Sequence, residues 1–382
     1  MKDNRNSLIW RPKFRIEPKT AQGLMAIEAA RVAVAHTPLS PAVEMELRKQ
    51  ARIRSSHFST RIEGNRLSLS EAEQVIEGKK TRFAGRERDV REVKYYWDAL
   101  IKVEQWAEAK RPLSEELIRR LHALVFKGRA SLLSAYRAGQ NVIRDSATGA
   151  LVYLPPLAKD VAPLMSAMVK WAKQAEQDRV PAPIIAGLIH YQFVTIHPFY
   201  DGNGRTARLL ATFLLHRNGF GLNGFFSLEE HHARDLEGYY RSLSVHPHHN
   251  YYEGRAQADL TPWVDYFIKT LAAVFNSVWE EAQRHSQKAP VRQPGSWKRL
   301  DRRARAMLAL FSDRELIKTM EIASALGLSQ RMVRVLARQW ISQGWLVAAG
   351  SGNRNRAYGL SAIYRKYLDR LSASASRPKP AP

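Results

Sequence analysis

Apolar residues recur every three to four positions along most of the chain, and strict alternation is confined to short stretches near residues 140–154 and 345–360. That spacing predicts a mainly α protein with small hairpins. No segment repeats. Residues 41–62 read as one amphipathic helix, with Ser40 as N-cap and Pro41 in the first turn. It is expected to break at Glu63-Gly64-Asn65, because Gly64 and Asn65 tolerate left-handed backbone. Ser70-Glu71-Ala72-Glu73 reads as the next helix start, an N-cap followed by early acids. A long helix over about 86–109 ends before Pro112, and Ser114 caps another that reaches about 127.

Residues 138–156 change character. Val142-Ile143 and Leu151-Val152-Tyr153 flank the polar run Arg144 to Gly149, a hairpin signal closed by Pro155-Pro156. Helices resume over about 161–176 and 183–195. A polar loop at 197–204 interrupts them, and a further helix runs to about 217. Two prolines in the polar stretch 284–297 mark a linker, and residues 371–382, rich in Ser, Ala and Pro, read as a disordered tail.

Composition adds two facts. There is no cysteine among 382 residues, which excludes disulfides, thiolate metal sites and a cysteine nucleophile. Together with the lack of an apolar run long enough to span a bilayer and of a leader-like start, it predicts a cytoplasmic protein with no membrane partner. Lys and Arg number 60 against 36 Asp and Glu, a net +24, which suits polyanionic partners or a crowd of solvated arginines.

The densest chemistry lies in His197-Pro198-Phe199-Tyr200-Asp201-Gly202-Asn203-Gly204-Arg205-Thr206-Ala207-Arg208. Gly202 and Gly204 let backbone N–H groups converge just where the next helix offers its free N–H groups and positive dipole end, an anion site. Arg205 and Arg208, three apart, add guanidinium forks suited to phosphate. Asp201 beside them is the carboxylate type that holds Mg²⁺ together with substrate phosphates. His197 can accept a proton near neutral pH. A structural turn has no need of so many such groups within twelve positions.

This segment resembles the signature of the Fic family, His-Pro-Phe-x-Asp-Gly-Asn-Gly-Arg-x-x-Arg, at every fixed position. The resemblance implies a helical fold and transfer of AMP from ATP to a Ser, Thr or Tyr hydroxyl of a protein, the chain itself included by automodification. It implies that His197 deprotonates the hydroxyl and that Asp201 holds Mg²⁺. Gly202, Asn203 and Gly204 would cradle the phosphates, Asn203 also through its side chain, with Arg205, Thr206, Ala207 and Arg208 completing the ATP site. By position, the hairpin resembles the family's flap, so Asn141, Val142 and Ile143 are expected to dock the target by strand addition; the other reading is a structural hairpin. Tyr239 and Tyr240 resemble the family's adenine-side helix, or are core. Ser59 to Asn65 matches the family's inhibitory pattern, which implies that Glu63 pairs with Arg208 in the γ-phosphate's place. Whether the chain works as a homodimer is left open.

The resemblance divides the chain into an inhibitory helical region, 1–110, a catalytic core, 111–283, the linker 284–297 and a second domain, 298–370. His231, His232, His246, His248 and His249 lack metal-ligand spacing and read as solvated loop residues. In the second domain, Met320 to Trp340 reads as helix, glycine turn and capped helix, with Ile322, Ala323, Leu326, Val333, Leu336 and Trp340 inward. Residues 346–360 add a two-stranded wing, so the domain resembles winged helices. Its 15 Lys and Arg against 5 Asp and Glu make DNA a candidate partner through Arg331, Arg334, Arg338, Arg354 and Arg356, against a protein-binding winged helix. Two other functions stay open: a DNA-binding regulator whose core senses nucleotide, and transfer of another phosphate-containing group.

Overall fold

The computed structural model describes residues 10–79, 82–144, 148–287, 302–312, 314–326, 328–349 and 356–366. The chain divides into two compact units, Met1–Ala35 with Arg52–Trp279, and His36–Ala51 with Glu280–Pro382. Among the described residues no helix is long and apolar enough to cross a membrane.

The first unit is helical. Its elements are α1 (Pro18–His36), the end of α2 (Pro41–Ile62), α3 (Leu69–Ile76), α4 (Glu87–Glu108), α5 (Glu115–Lys127), strands β1 (Ile143–Arg144) and β2 (Leu151–Tyr153), α6 (Ala158–Gln177), α7 (Ala182–Ile196), α8 (Asn203–Arg217), α9 (Leu228–Arg234), α10 (Leu236–Leu243) and most of α11 (Thr261–Gln287). α7 is apolar on nearly every side and buried along its length, as a central helix must be. α8 packs on α7, α4 and α5, and α6 packs on α7. Gly187 lets α11 come close: a Cβ there would lie 2.8 Å from the Phe267 ring, and the Trp263 indole N–H donates to the Gly187 carbonyl at 2.7 Å.

The helix-period expectation holds, with corrections in detail. α3 is capped by Ser68, not Ser70: the Ser68 hydroxyl accepts from Glu71 N–H, and the Glu71 carboxylate answers the Ser68 N–H. α11 runs through residues 284–287, which read as linker; the rest of that linker and the tail lie outside the described residues. The hairpin forms as antiparallel β1 and β2, pairing Ile143 with Tyr153. Leu154 then bonds the His249 carbonyl at 2.8 Å, and Tyr251 returns a bond to Leu154 at 3.0 Å.

The second unit contains α12 (Arg302–Ala309), β3 (Leu316–Lys318), α13 (Thr319–Leu326), α14 (Gln330–Ser342), β4 (Leu346–Ala349) and β5 (Ala357–Leu360). Its antiparallel sheet has the order β3-β5-β4. β3 escaped the sequence pattern, because three residues are too few to show a period. The core gathers Met307, Phe311, Ile322, Val333, Trp340, Trp345 and Tyr358, with Ala42 and Met45.

Candidate active site

α7 ends at His197, whose backbone is left-handed at φ 50° and ψ 60°. This is uncommon for a residue with a Cβ. The chain then runs to Gly202, left-handed at φ 78°, where α8 starts. Asn203 shapes the turn between them: its side-chain oxygen accepts from Phe199 N–H at 3.0 Å, and its amide donates to the Phe199 carbonyl at 2.8 Å. Both ends of that amide are thus engaged on the backbone of one residue, Phe199. Phe199 is buried, and its ring stacks on His122 with centroids 3.7 Å apart. His122 donates through Nε2 to the Asp201 carbonyl at 2.7 Å, which leaves Nδ1 to accept from the Ser134 hydroxyl at 2.7 Å. Burial pushes the His122 pKa down to about 4, so this underpinning ring is neutral.

At the start of α8, the N–H groups of Asn203, Gly204 and Arg205 precede the first intrahelical bond, which Thr206 makes to the Gly202 carbonyl at 3.0 Å. The Thr206 hydroxyl bonds the same carbonyl at 2.8 Å, and Ala207 is fully buried. Both side chains therefore face the fold rather than the loop.

The two arginines reach different partners. Arg205 is buried, 3.1 Å from Asp201 and 3.4 Å from Glu92, and its Nε has no hydrogen-bond partner among the described residues. The side chain of Arg208 is 1% exposed. It donates to the Ser59 hydroxyl at 2.8 Å, the Ser59 carbonyl at 2.9 Å and Glu63 Oε1 at 2.8 Å. Burial disfavours the Arg208 charge, but the Glu63 carboxylate, Tyr239 and Tyr96 together outweigh it and the Arg208 pKa is raised. The Asp201 side chain is 43% exposed, and its second oxygen lies 3.7 Å from Arg88.

Glu63 stands at the end of α2. Gly64 N–H bonds the Arg61 carbonyl at 2.9 Å, and Asn65 N–H bonds the Thr60 carbonyl at 3.1 Å, a Schellman closure with Gly64 at φ 90°. The Asn65 amide then ties to the Asp89 carbonyl at 2.9 Å and to Glu92 at 3.2 Å. So held, the Glu63 carboxylate lies against the Cα of Gly204: a Cβ at Gly204 would be 2.3 Å from its oxygen. Any side chain at position 204 would fill the same space.

His197 is half-buried. Its Nδ1 lies 3.3 Å from the Val194 carbonyl, which only accepts, so the proton sits on Nδ1 and Nε2 keeps its lone pair. Burial pushes its pKa down to about 4, assisted by the Arg137 charge and opposed by the Val194 bond, Glu63 and Asp201. The ring is therefore a neutral imidazole at physiological pH.

The remaining expected residues divide. The Asn141 amide bonds the Phe199 carbonyl at 2.8 Å, so the base of the hairpin touches the loop; Val142 is exposed and Ile143 half-buried. Tyr239 is buried, its hydroxyl 2.9 Å from His190 Nε2, whereas Tyr240 is exposed and its hydroxyl lies 3.5 Å from the Ile62 carbonyl. His232 is buried beside Tyr239, not solvated as expected. His249 bonds the Val152 carbonyl at 2.7 Å. In the second unit Arg331, Arg334 and Arg338 are exposed on α14, and the Arg356 carbonyl accepts from Thr319 at the start of α13. Arg354 lies outside the described residues.

Sequence reasoning missed Arg137, His122, Glu92 and Arg88. A lone histidine on the apolar face of α5 and single arginines in a strongly basic chain carry no periodic signal. Arg137 is 3% exposed, and it donates from Nε to the His197 carbonyl at 2.9 Å and from Nη1 to the Gly139 carbonyl at 3.0 Å. Its Nη2 bonds the Pro156 carbonyl and lies 3.5 Å from that of Ile196.

Comparison with known proteins bears on the same residues. Residues 112–215 match the model of the Fic/DOC family. The protein adenylyltransferase Fic of Nematostella vectensis is 33% identical over 184 residues, 45% of this chain and 39% of that protein. Its namesake in Drosophila ananassae is 28% identical over 200 residues, 52% of this chain and 38% of that protein. The chain thus spans well under half the length of these relatives. The crystal structure of a Fic family protein from Desulfovibrio desulfuricans superimposes with a TM-score of 0.59 at 25% identity, covering 92% of this chain and 99% of that one. Fic-1 from C. elegans shares the fold at a TM-score of 0.55 and 24% identity, over 70% of this chain and 74% of that one. Over residues 112–215, which hold the His197–Arg208 loop, this chain matches the Fic/DOC family, and its homologues at 28–33% identity are named protein adenylyltransferases.

Proposed function

We propose that the chain transfers AMP from ATP to a hydroxyl on a protein, itself included, and restrains that reaction through Glu63. The observation that carries the reading is the free N–H end of α8, flanked by the buried guanidiniums of Arg205 and Arg208, with a neutral histidine at the other end of the same loop. In the reaction the target oxygen attacks the α-phosphorus, the bond to the β-phosphate oxygen breaks and pyrophosphate leaves. His197 Nε2 takes the hydroxyl proton. The N–H groups of Asn203, Gly204 and Arg205 meet phosphate oxygens, with Arg208 available to the outermost phosphate once Glu63 withdraws. The unpaired Nε of buried Arg205 and the solvent-open carboxylate of Asp201 fit a phosphate chain carrying one divalent ion. Mg²⁺, held there by Asp201, would neutralise phosphate charge. The β1–β2 hairpin would seat the target as an added strand. Label from α-phosphate-labelled ATP should stay on protein, and label from γ-phosphate-labelled ATP should not. Retention of the γ label would instead make the chain a phosphotransferase.

A second reading concerns the second unit. Its element order and three-stranded sheet support a winged helix, and the exposed arginines of α14 support duplex DNA as ligand. Arg334→Glu in the full chain should weaken DNA binding and make the log–log salt dependence shallower by about one unit. If the unaltered protein shows no salt-dependent binding to duplex DNA, a protein partner takes its place.

A further inference from the structure

Residues 137–141 lie along the active-site loop and touch each of its first residues in turn. The Arg137 guanidinium meets the Ile196 carbonyl at 3.5 Å and the His197 carbonyl at 2.9 Å. Arg137 N–H meets the Pro198 carbonyl at 2.9 Å. The Asn141 amide meets the Phe199 carbonyl at 2.8 Å, and Gly139 N–H meets the Tyr200 hydroxyl at 2.8 Å. The same guanidinium reaches Gly139 ahead of β1 and Pro156 beyond β2, and Gln140 closes the hairpin base on the Pro155 carbonyl at 2.8 Å.

We propose that Arg137 is a positioning residue for the transfer: its guanidinium holds the left-handed His197 and both ends of the β1–β2 hairpin in one hydrogen-bonded hub, fixing the base relative to the docked target strand. The proposal rests on the reading of His197 as base. Burying a guanidinium is costly unless its donors are satisfied, and an apolar side chain would fill the space at lower cost. Among the described residues the side-chain partners of Arg137 are four backbone carbonyls, and none is a carboxylate. Only a planar fork with five donors can serve carbonyls from α7 and from both hairpin ends together. Two of them, Ile196 and His197, close the C-terminal end of α7, where unpaired carbonyls and the helix dipole favour a cation. The hub also supplies the local bonds that a left-handed histidine requires.

Two substitutions separate positioning from simple support. In the Glu63→Gly background, Arg137→Gln should lower the transfer rate constant by about 10²-fold, the cost of a small misplacement of reacting groups, with ATP affinity unchanged. In that background His197 still faces Asp201, which favours its protonated form, and Arg137 is the charge opposing it. Histidine-labelled NMR should therefore find the His197 titration midpoint above its value in the parent. Arg137→Lys keeps the charge but loses the fork, so transfer should fall while the midpoint stays. Unchanged transfer in Arg137→Gln, a parallel loss of ATP affinity or an unmoved midpoint would overturn the proposal. If Arg137→Gln does not fold, Arg137→Lys decides: slower transfer at unchanged ATP affinity supports the hub, and undiminished transfer refutes it. If the Glu63→Gly parent transfers nothing, the proposed function fails, and the titration shift alone then decides for or against Arg137.

Discussion

Replacing His197 with alanine is expected to lower AMP transfer by about 10²–10⁴-fold, the usual cost of losing a positioned general base, while ATP binding survives. The groups that would meet the phosphates belong to residues 203–208, on the far side of the Phe199 turn from His197. Among the described residues the ring bonds only the Val194 carbonyl, so its removal leaves the Asn203–Phe199 clasp and the His122 stack in place. The same assignment fixes a pH dependence. A pKa lowered to about 4 keeps Nε2 unprotonated down to roughly pH 5. The acid limb of kcat/KM should therefore fall near 4, not near the ordinary histidine value of about 6.5. Isothermal titration with ATP, beside transfer rates from pH 3.5 upward, checks both statements. A fully active His197→Ala protein would end the assignment, and an acid limb near 6.5 would show that the ring is solvated.

Glu63→Gly should raise automodification by roughly 10- to 150-fold. A partly buried, charge-assisted contact between carboxylate and guanidinium is worth about 1.5–3 kcal/mol, which converts to that range. Arg208 is almost fully buried and the Glu63 side chain 27% exposed, so solvent screens the pair only in part. The carboxylate also lies against Gly204 Cα, where the proposed reading puts a phosphate. Removing it frees both the arginine and the space. Adding Arg208→Ala should cancel the gain, because both residues act through one contact. Protein labelling from α-labelled ATP across the four combinations gives the coupling directly. Should Glu63→Gly be no more active than the parent, or the double variant as active as the single one, self-inhibition through this pair is wrong.

Much of the fold and of the loop is legible in the sequence alone. The signature loop is contiguous in sequence, and its glycines, acid and arginines advertise their chemistry through spacing alone. The break after residue 62 and the hairpin were readable for the same reason, since turn residues act locally. Contacts between distant segments were not. Nothing near Ser59 says that its hydroxyl and carbonyl would both grip Arg208, and nothing near Arg137 says that its partners lie some sixty residues on at His197. The Asn203 side chain is the instructive case. By resemblance it belonged to the phosphates, yet its amide clasps the Phe199 backbone from both sides, a role visible only once the loop is closed.

Gly64 carries a consequence of its own. It adopts φ 90° in the closure that ends α2, directly after Glu63. With any other residue, holding that backbone costs about 1–2 kcal/mol, close to the energy of the Glu63–Arg208 contact itself. If Glu63 restrains transfer as proposed, the resting level of activity has two dials. One is the charge pair; the other is a position with no side chain, through which the set point can drift by an order of magnitude while every charged and catalytic group stays where it is.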